Sequence, residues 1–539
     1  MQPMKKQRKN IHLWMNTLFG LAVFLFWEIA YPQALNYQEQ NQLFLFNADY
    51  LLKDLSVAGG LADYISEFIV QFYYQPLAGA FLLGLLFVAM LEQTRNLIAR
   101  QDQRWYIAGF IPPLLMLWHM GDIHTLLSFP IATIMALTVA RTMGDRYPMA
   151  DLILLPLLYW LAGPMVWVYA LLRCFAVGWK QFWTLPYLAV LQVSAYVLLL
   201  SQWPPEMVLT GLNYYRIPLR TPLLQGMIPL SIVLLAGMAN VTKGYTLPSV
   251  FTNGIPILSA AVLAGVAVNK GFDCDIYELL KQDEWVRKEQ WTKIIERAEK
   301  HQVKTGFSSQ CVNLALGMTG ELPERMFRFY QSGSDALLMP AMNDNTSDLP
   351  TAEAFFRLGM INESLRYMSD IQQAILNFKG SGRCTKRIAE CYLINGNYQA
   401  AAKHLALLRQ SLFYRQWAKE TATYLYRDDR IDTHPEWGSL RRNRYREQFL
   451  YNYEEKDKML GILFTQNQTN RLALQYFMGQ MLLDGNIESF VKYLPWAQQY
   501  GGHTRMPAGY ADVMKCIQAK GNLPESDYAR YAKRMNEKP

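Results

Sequence analysis

The chain has 539 residues, a net charge of +8 and a mean hydropathy of −0.01. The length gives room for two or more domains. The positive charge is divided between both halves and forms no basic stripe with interleaved aromatic residues, which excludes nucleic acid as an expected partner. The cysteines form no CxxC pair, which excludes the common structural zinc spacings.

Residues 1–270 contain long apolar runs separated by short loops, as in a polytopic membrane protein. A helix that spans a bilayer needs about 20 mostly apolar residues. Two of the candidate runs meet at Gly163–Pro164, so they are either two spans, a re-entrant pair or one broken span. The predicted spans are 12–31, 77–94, 105–121, 125–140, 149–163, 164–179, 184–203, 226–242 and 251–269.

Basic residues indicate the orientation, because Lys and Arg concentrate on the cytoplasmic side of a membrane. The N-terminus and alternate loops are basic, with Arg95 and Arg173 predicted in two of those loops. The N-terminus is therefore predicted to be cytoplasmic. An odd number of spans then places everything after Lys270 outside, and the first span is read as a retained anchor rather than a cleaved signal.

A long outer loop, 32–76, follows the first predicted span and is both acidic and rich in apolar side chains. Two short amphipathic helices in this loop would lie in the membrane interface. The alternative is a packed cap over the helix bundle. The loop carries Glu39 and Asp49, which are the candidate catalytic carboxylates.

Arg216 and Arg220 break the pattern of basic residues, because the predicted topology places them on the outer face. A guanidinium presents a planar fork of donors that matches phosphate oxygens. We therefore expect these two arginines to bind the phosphate or diphosphate of a polyprenyl lipid. The alternatives are contact with lipid headgroups or pairing with the acidic loop.

His119, Asp122 and His124 form the candidate metal site, at the end of the third predicted span. The spacing i, i+3 would place His119 and Asp122 on one face of a helix. Imidazole and carboxylate groups are suitable ligands for a divalent metal. The alternative is two interfacial histidines that are hydrogen-bonded to backbone and water.

The pattern of residues 271–539 predicts helical hairpins with glycine at the turns. The turn glycines are Gly320, Gly359, Gly396, Gly485 and Gly521. Their separations suit helical-hairpin repeats of roughly 34–47 residues, with an insertion at 424–446 that we interpret as a solvated excursion rather than a binding loop. Stacked hairpins bury the faces that one hairpin cannot, and their surface would hold a protein or peptide.

The fold class predicted from these patterns is all-α. A polytopic transmembrane bundle of about nine spans occupies residues 1–270, and a TPR-like α-solenoid occupies residues 271–539.

Two resemblances add to this interpretation. The segments Gln38–Gln40, Leu43–Phe46, Gly59–Tyr64 and Gln71–Tyr74 resemble an uncharacterised family of polytopic membrane proteins from Bacteroides-type bacteria. That resemblance implies a bacterial inner membrane with a periplasmic C-terminal domain. The architecture is also similar to membrane glycosyltransferases of the C-type fold, which implies a polyprenyl-phosphate donor, Glu39 or Asp49 as the acidic position and Arg216 or Arg220 as the phosphate contact.

Two functions follow as hypotheses. The first is an envelope-assembly scaffold or adaptor that binds a protein partner through the periplasmic repeats. The alternative is a glycosyltransferase that uses a lipid-phosphate donor at the periplasmic face, with a carboxylate as general base. Transport is disfavoured, because the spans lack conspicuous ionisable residues at mid-membrane depth.

Overall fold

The computed structural model describes residues 2–377, 379–445, 451–519 and 525–537, with side chains described from residue 12 onward. Every regular element in these ranges is helical, and the only β-type pairing among them is an isolated antiparallel bridge between Thr125 and Tyr215. The all-α class is therefore confirmed. The chain divides into two compact units, Met1–Tyr277 and Glu278–Pro539.

The first unit contains thirteen complete α-helices in its described part and the start of a fourteenth. They are α1 Gln2–Leu25, α2 Pro32–Gln40, α3 Ala48–Leu55, α4 Gly60–Val70, α5 Pro76–Gln101, α6 Ile111–His119, α7 Ser128–Met143, α8 Asp151–Ala162, α9 Val166–Val177, α10 Thr184–Ala195, α11 Pro205–Thr210, α12 Leu223–Val241, α13 Ile255–Lys270 and α14 Cys274–Arg287. Short 3-10 turns or π-turns extend several of them, and the division between the units falls within α14.

Six helical segments among the described residues are long and apolar enough to cross a membrane. They are His12–Ala30, Pro76–Gln101, Pro148–Val177, Trp179–Leu200, Leu223–Val241 and Val250–Lys270. Ser128–Met143 is a shorter apolar helix of the same kind. The chain thus has the helices of a membrane protein, but the predicted count of nine spans is not confirmed.

Two local features, together with the short helix Ser128–Met143 in place of the predicted span 125–140, explain the difference in count. The runs 149–163 and 164–179 lie in one helical segment, Pro148–Val177, that is broken at Gly163, where φ is 62° and a 3-10 turn at Gly163–Met165 joins α8 to α9. The predicted span 105–121 begins as a 3-10 helix, Gln103–Phe110, and becomes α-helical only at α6. Pro112 and Pro113 stand in the first turn of α6, where their missing N–H groups are tolerated, so the proline pair marks the start of a helix.

A contact between two glycines joins α1 to α5. A Cβ atom on Gly84 would lie 2.9 Å from the carbonyl oxygen of Gly20, and one on Gly20 would lie 2.4 Å from the side chain of Val88. Small residues of this kind let two apolar helices approach backbone to backbone. The first predicted span is thus packed closely on the second.

Arg95 and Arg173, both predicted in basic loops, are instead buried within helices α5 and α9. Arg173 is 1% exposed and donates from Nε to Asp151, which is fully buried, over 2.9 Å. It also donates to the carbonyl oxygens of Gly144 and Arg146. The loop assignment was therefore wrong for both residues, because an apolar run can contain an arginine that is held inside the fold, by an ion pair for Arg173 and by a hydrogen bond to Asn16 for Arg95.

The loop 32–76 folds into α2, α3 and α4. Most of α2 is buried against the rest of the first unit, which favours the packed cap for this helix. The other two helices leave large apolar side chains exposed, among them Leu52 of α3 and Phe68 of α4. The placement of these helices in the membrane interface stays a prediction.

The second unit continues from α14 through fifteen further α-helices in its described part. They are α15 Trp291–Lys300, α16 Gly306–Thr319, α17 Leu322–Arg325, α18 Leu349–Leu358, α19 Ile361–Gln373, α20 Gly382–Asn395, α21 Tyr398–Leu408, α22 Arg415–Ala422, α23 Asp428–Thr433, α24 Pro435–Asn443, α25 Lys456–Gln466, α26 Arg471–Leu483, α27 Ile487–Tyr500, α28 Ala508–Gln518 and α29 Asp527–Asn536.

Four predicted turn glycines lie just beyond the ends of helices in this unit. Gly320, Gly359, Gly396 and Gly485 have φ values of 78°, 91°, 80° and 69°. This left-handed backbone conformation is disfavoured for residues with a Cβ, which explains why glycine ends these helices. Gly521 lies outside the described residues. The hairpins are thus present, while their assignment as TPR-like repeats stays a prediction.

The segment 424–446 is not a solvated excursion. It contains α23 and α24, whose Ile431, Trp437 and Leu440 are buried in one apolar cluster with α20 and α21. Its charged residues concealed these apolar positions in the sequence. Arg446, at the end of the predicted insertion, lies outside the described residues.

Candidate functional site

The loop that follows α11 pairs with the loop that follows α6. The backbone N–H of Arg216 donates to the carbonyl of His124 over 2.8 Å, and that of Leu126 donates to the carbonyl of Tyr214 over 3.1 Å. The bridge between Thr125 and Tyr215 lies between these two bonds. The pairing fixes the position of residues 213–216 within the first unit.

Arg216 is the most unusual residue of this segment, because it is a charged residue and only 1% exposed. Its Nη2 donates to Oε1 of Gln38 over 2.9 Å, and the hydroxyl group of Tyr37 also interacts with it. Nε and Nη1 are buried and have no hydrogen-bond partner. In the described part of the chain, no carboxylate lies within 4.0 Å of the guanidinium.

The buried guanidinium of Arg216 is energetically unfavourable. Taking an ion out of water without a counter-charge costs several kcal/mol. Burial accordingly lowers the pKa of the Arg216 guanidinium, although the Tyr37 side chain and the Asp122 charge oppose this effect. An anion bound at Nε and Nη1 would supply the missing charge and the missing acceptors.

Three buried carboxylates form a second polar cluster on the loop helices. Asp54 is near the end of α3, and Asp63 and Glu67 are one turn apart on α4, so α4 presents both on one face. Carboxylate oxygens of the three lie within 4.8 Å of one another. Tyr50 donates to Glu67, and the side-chain amide of Asn213 donates to Asp63 over 2.7 Å.

The turn between α3 and α4 brings these carboxylates together. Gly59 has a φ of 88°, and a Cβ on Gly60 would lie 1.8 Å from the carbonyl oxygen of Asp54. The chain can therefore fold back this tightly only because both positions lack a side chain. Three carboxylates at this distance are a suitable ligand set for a divalent cation such as Mg²⁺ or Ca²⁺.

One short segment, residues 213–216, contacts the carboxylate cluster at its first residue and carries Arg216 at its last. Asn213 contacts the cluster at Asp63, and Arg216 contacts Gln38. Asn213 and Arg216 are three residues apart, so their Cα atoms are separated by at most about 11 Å in an extended chain.

The predicted catalytic residues lie in different environments. Glu39 is buried on α2, next to Gln38, the residue that binds Arg216. Asp49 is exposed in the first turn of α3. Arg220, the second predicted phosphate ligand, is also exposed. Glu39 is thus the neighbour in sequence of the residue that binds Arg216, whereas Asp49 lies on a different helix.

The predicted metal ligands are adjacent without forming a compact ligand set. Asp122 accepts from the Tyr215 hydroxyl over 2.6 Å and from the backbone N–H of His124 over 2.9 Å. His119 packs on the rings of Phe129 and Tyr215. Among the described residues, three such ligand atoms lie within 4.8 Å of one another only at the Asp54, Asp63 and Glu67 cluster.

That cluster was missed in the sequence. The available signal was the spacing i, i+4 of Asp63 and Glu67 on an otherwise apolar helix. The contribution of Asp54 depends on the glycine turn, which brings it back over α4.

The fold and the site define a class: an all-helical membrane protein with a buried cationic and acidic site on the loop that follows its first apolar helix. The particular assignment comes from comparison with known families. The chain matches the family of unknown function DUF6057 over residues 7–536 and belongs to that family. No curated protein and no solved structure matches the chain.

Proposed function

We propose that the protein is a membrane enzyme that transfers a sugar or related group from a lipid-phosphate donor. The observation that carries the proposal is Arg216, a buried guanidinium with two unpartnered nitrogen atoms and no carboxylate within 4.0 Å among the described residues. Arg173 is paired with Asp151, and the buried Arg95, which also lacks a carboxylate partner in the described part of the chain, lies 4.0 Å from the centre of the Tyr106 ring and donates to Asn16. An anionic ligand would supply the partners that the two nitrogen atoms of Arg216 lack.

In this proposal the oxygen of the Gln38 amide occupies the place of one phosphate oxygen. The donor phosphate replaces it at Nη2 and also accepts from Nε and Nη1. The guanidinium then stabilises the negative charge that develops on the phosphate as the bond between the sugar carbon and the phosphate oxygen breaks. Arg220, which is exposed four residues further on, would meet the donor at the membrane surface.

The acidic groups supply the other half of the reaction. A carboxylate of Glu39 or of the Asp54, Asp63 and Glu67 cluster accepts the proton of an acceptor hydroxyl. The oxygen of that hydroxyl forms the new bond to the sugar carbon. The leaving phosphate keeps the electron pair of the broken bond. A divalent cation held by the cluster would offset its negative charge.

The proposed topology places this site at the periplasmic face of a bacterial inner membrane, with the N-terminus in the cytoplasm. Charge asymmetry supports this orientation. The second unit, as a periplasmic helical-repeat domain, would present the acceptor.

Binding of polyprenyl phosphate to the full chain in nanodiscs tests the proposal, with the uncharged polyprenol as the comparison lipid. We expect the phosphate lipid to bind and Arg216→Gln to weaken that binding at least about tenfold, the size of a lost charge-assisted hydrogen bond. Arg146→Gln, an exposed arginine elsewhere in the first unit, should leave binding unchanged. Equal binding of both lipids, or equal binding by both variants, would refute the role of Arg216.

A second candidate is the envelope-assembly scaffold, which the helical hairpins of the second unit favour. The hairpins need only a protein partner, whereas catalysis needs the polar site as well. Lipid and glycan profiling of a deletion strain separates the two functions. Complementation by both Glu39→Gln and Arg216→Ala with full restoration of the wild-type profile would support the scaffold and exclude the enzyme.

A further inference from the structure

Helix α4 has its polar and apolar faces reversed compared with a surface helix in water. Its two ionisable residues, Asp63 and Glu67, are buried within the first unit. Every residue of α4 that keeps accessible surface is apolar or aromatic, namely Leu61, Tyr64, Ile65, Phe68 and Ile69. A surface helix in water normally turns its charged side chains outward and its apolar stripe inward. The outer face of α4 is therefore suited to an apolar environment rather than to water.

Ring contacts extend this apolar surface to the segment before α3. The ring centre of Phe44, which is buried, lies 5.0 Å from that of Phe46 and 5.6 Å from that of Phe68. Phe46 and Phe68 nevertheless remain 44% and 39% exposed. Phe44 thus holds two aromatic side chains whose outer surfaces stay open in the part of the first unit that the structure describes.

Helix α3 adds a mixed polar and apolar edge to this surface. Leu52 is 64% exposed, and the charged residues Asp49 and Lys53 are exposed beside it. The spacing i, i+4 of Asp49 and Lys53 places both charges on one side of the helix. Charges next to exposed apolar side chains suit the boundary of a bilayer, where headgroups meet acyl chains, better than its hydrocarbon core.

The apolar surface continues along the chain into a helix that is long enough to cross a membrane. The 3-10 turn Gln71–Tyr74 joins α4 to α5, Pro76–Gln101. Leu77, Phe81 and Leu85 of α5 are exposed at intervals of four residues, which places them on one side of that helix. If α5 spans the bilayer, this side meets lipid, and α4 lies next to the point where the chain enters the bilayer. This continuity favours lipid over a second protein as the occupant of the α4 face.

We propose that α3 and α4 form an interfacial hairpin that rests in the membrane, in the leaflet where α5 begins. The side chains of Phe46, Leu52 and Phe68 insert to the boundary between headgroups and acyl chains, about 5–10 Å deep. Asp49 and Lys53 stay among the headgroups. The proposal concerns only the outer faces of these helices, so it is independent of the lipid-phosphate site and of the side of the membrane on which the loop lies.

Cysteine reactivity tests the proposal with the full chain in nanodiscs of phosphatidylethanolamine and phosphatidylglycerol. The variants are Leu52→Cys and Phe68→Cys, with Ala406→Cys, exposed on α21, as the aqueous control. All carry Cys274→Ser, because Cys274 is exposed and the other five native cysteines are buried. A thiol at the lipid boundary forms little thiolate, and a rise of one pKa unit lowers its thiolate fraction about tenfold. We expect a water-soluble maleimide to label positions 52 and 68 at least about tenfold more slowly than position 406.

A spin label attached to the same thiols before reconstitution distinguishes lipid from protein as the cover. Molecular oxygen concentrates in lipid, whereas a nickel chelate stays in water. Oxygen should dominate the relaxation of labels at positions 52 and 68, as it should for Phe81→Cys on α5, and the nickel chelate should dominate at position 406.

Two results would overturn the proposal. Maleimide labelling at position 52 or 68 that is as fast as at position 406 would place that helix in water. Slow labelling without access of oxygen at either position would show that protein, such as a second copy of the chain, covers this face instead of lipid.

Discussion

Two buried arginines of the first unit should respond very differently to the same substitution. Arg173 and Arg216 are each 1% exposed. Arg173 pairs with Asp151 over 2.9 Å, whereas Arg216 has no carboxylate within 4.0 Å among the described residues. Methionine keeps much of the side-chain length and removes the charge together with the hydrogen bonds of the guanidinium.

Arg173→Met leaves the fully buried carboxylate of Asp151 without its counter-charge. Breaking a buried ion pair in this way costs about 3–5 kcal/mol. Arg216→Met removes an unpaired buried charge and also the hydrogen bond to Gln38, worth about 1–3 kcal/mol when its acceptor is left unsatisfied. Because these two effects oppose each other, we expect Arg216→Met to change stability by less than about 1 kcal/mol or to increase it.

Cys174 provides the assay, because its thiol is buried next to Arg173 and becomes reactive when this region opens. Alkylation at this residue can be followed by mass spectrometry on the full chain in detergent. Arg173→Met should accelerate labelling roughly a hundredfold to a few thousandfold. Arg216→Met should change the rate by less than about fivefold, or reduce it. A comparable acceleration in both variants would show that Arg216 is satisfied within the fold, and would remove the basis for an anion there.

Three further predictions concern the second unit and the topology. Burial lowers the pKa of His404, so the folded state binds fewer protons than the unfolded state and stability should fall as the pH decreases below about 6.5; a weaker pH dependence is expected for His404→Gln in thermal unfolding at pH 5 and pH 8. Gly396→Ala should destabilise by about 1–2 kcal/mol in urea titration and Gly396→Asn by less, since φ is 80° and no other atom lies within 4 Å of the added Cβ; equal costs would contradict backbone strain as the cause. A phosphatase reporter fused after Pro539 should be active, because this reporter enzyme folds only outside the cytoplasm. Activity of a cytosolic reporter at the same position, without phosphatase activity, would reverse the proposed orientation.

Much of the fold could be predicted from hydrophobic pattern and turn residues. The helical class, the change of character near residue 270 and the glycine turns at 320, 359, 396 and 485 all depend on local sequence. Helix length was harder to predict, because prolines and a glycine such as Gly163 divide or join apolar runs in ways that depend on neighbouring helices.

The polar site was only partly predictable. Arg216 was recognised as a phosphate candidate because its position contradicted the charge pattern, which is a sequence signal. The Asp54, Asp63 and Glu67 cluster depends on a chain reversal at Gly59, and its link to residues 213–216 joins segments about 150 residues apart. Contacts at such separations follow from tertiary packing, which one sequence does not reveal.

The close approach of Gly20 and Gly84 has a practical consequence for work on this protein. Exchanging the first hydrophobic segment for a standard leader or anchor is a routine way to redirect a membrane protein. In this chain, the replacement would need a glycine at position 20, because a Cβ atom there would clash with Val88 of α5. Fusions placed ahead of residue 12 keep that surface intact, so tags and localisation signals belong there.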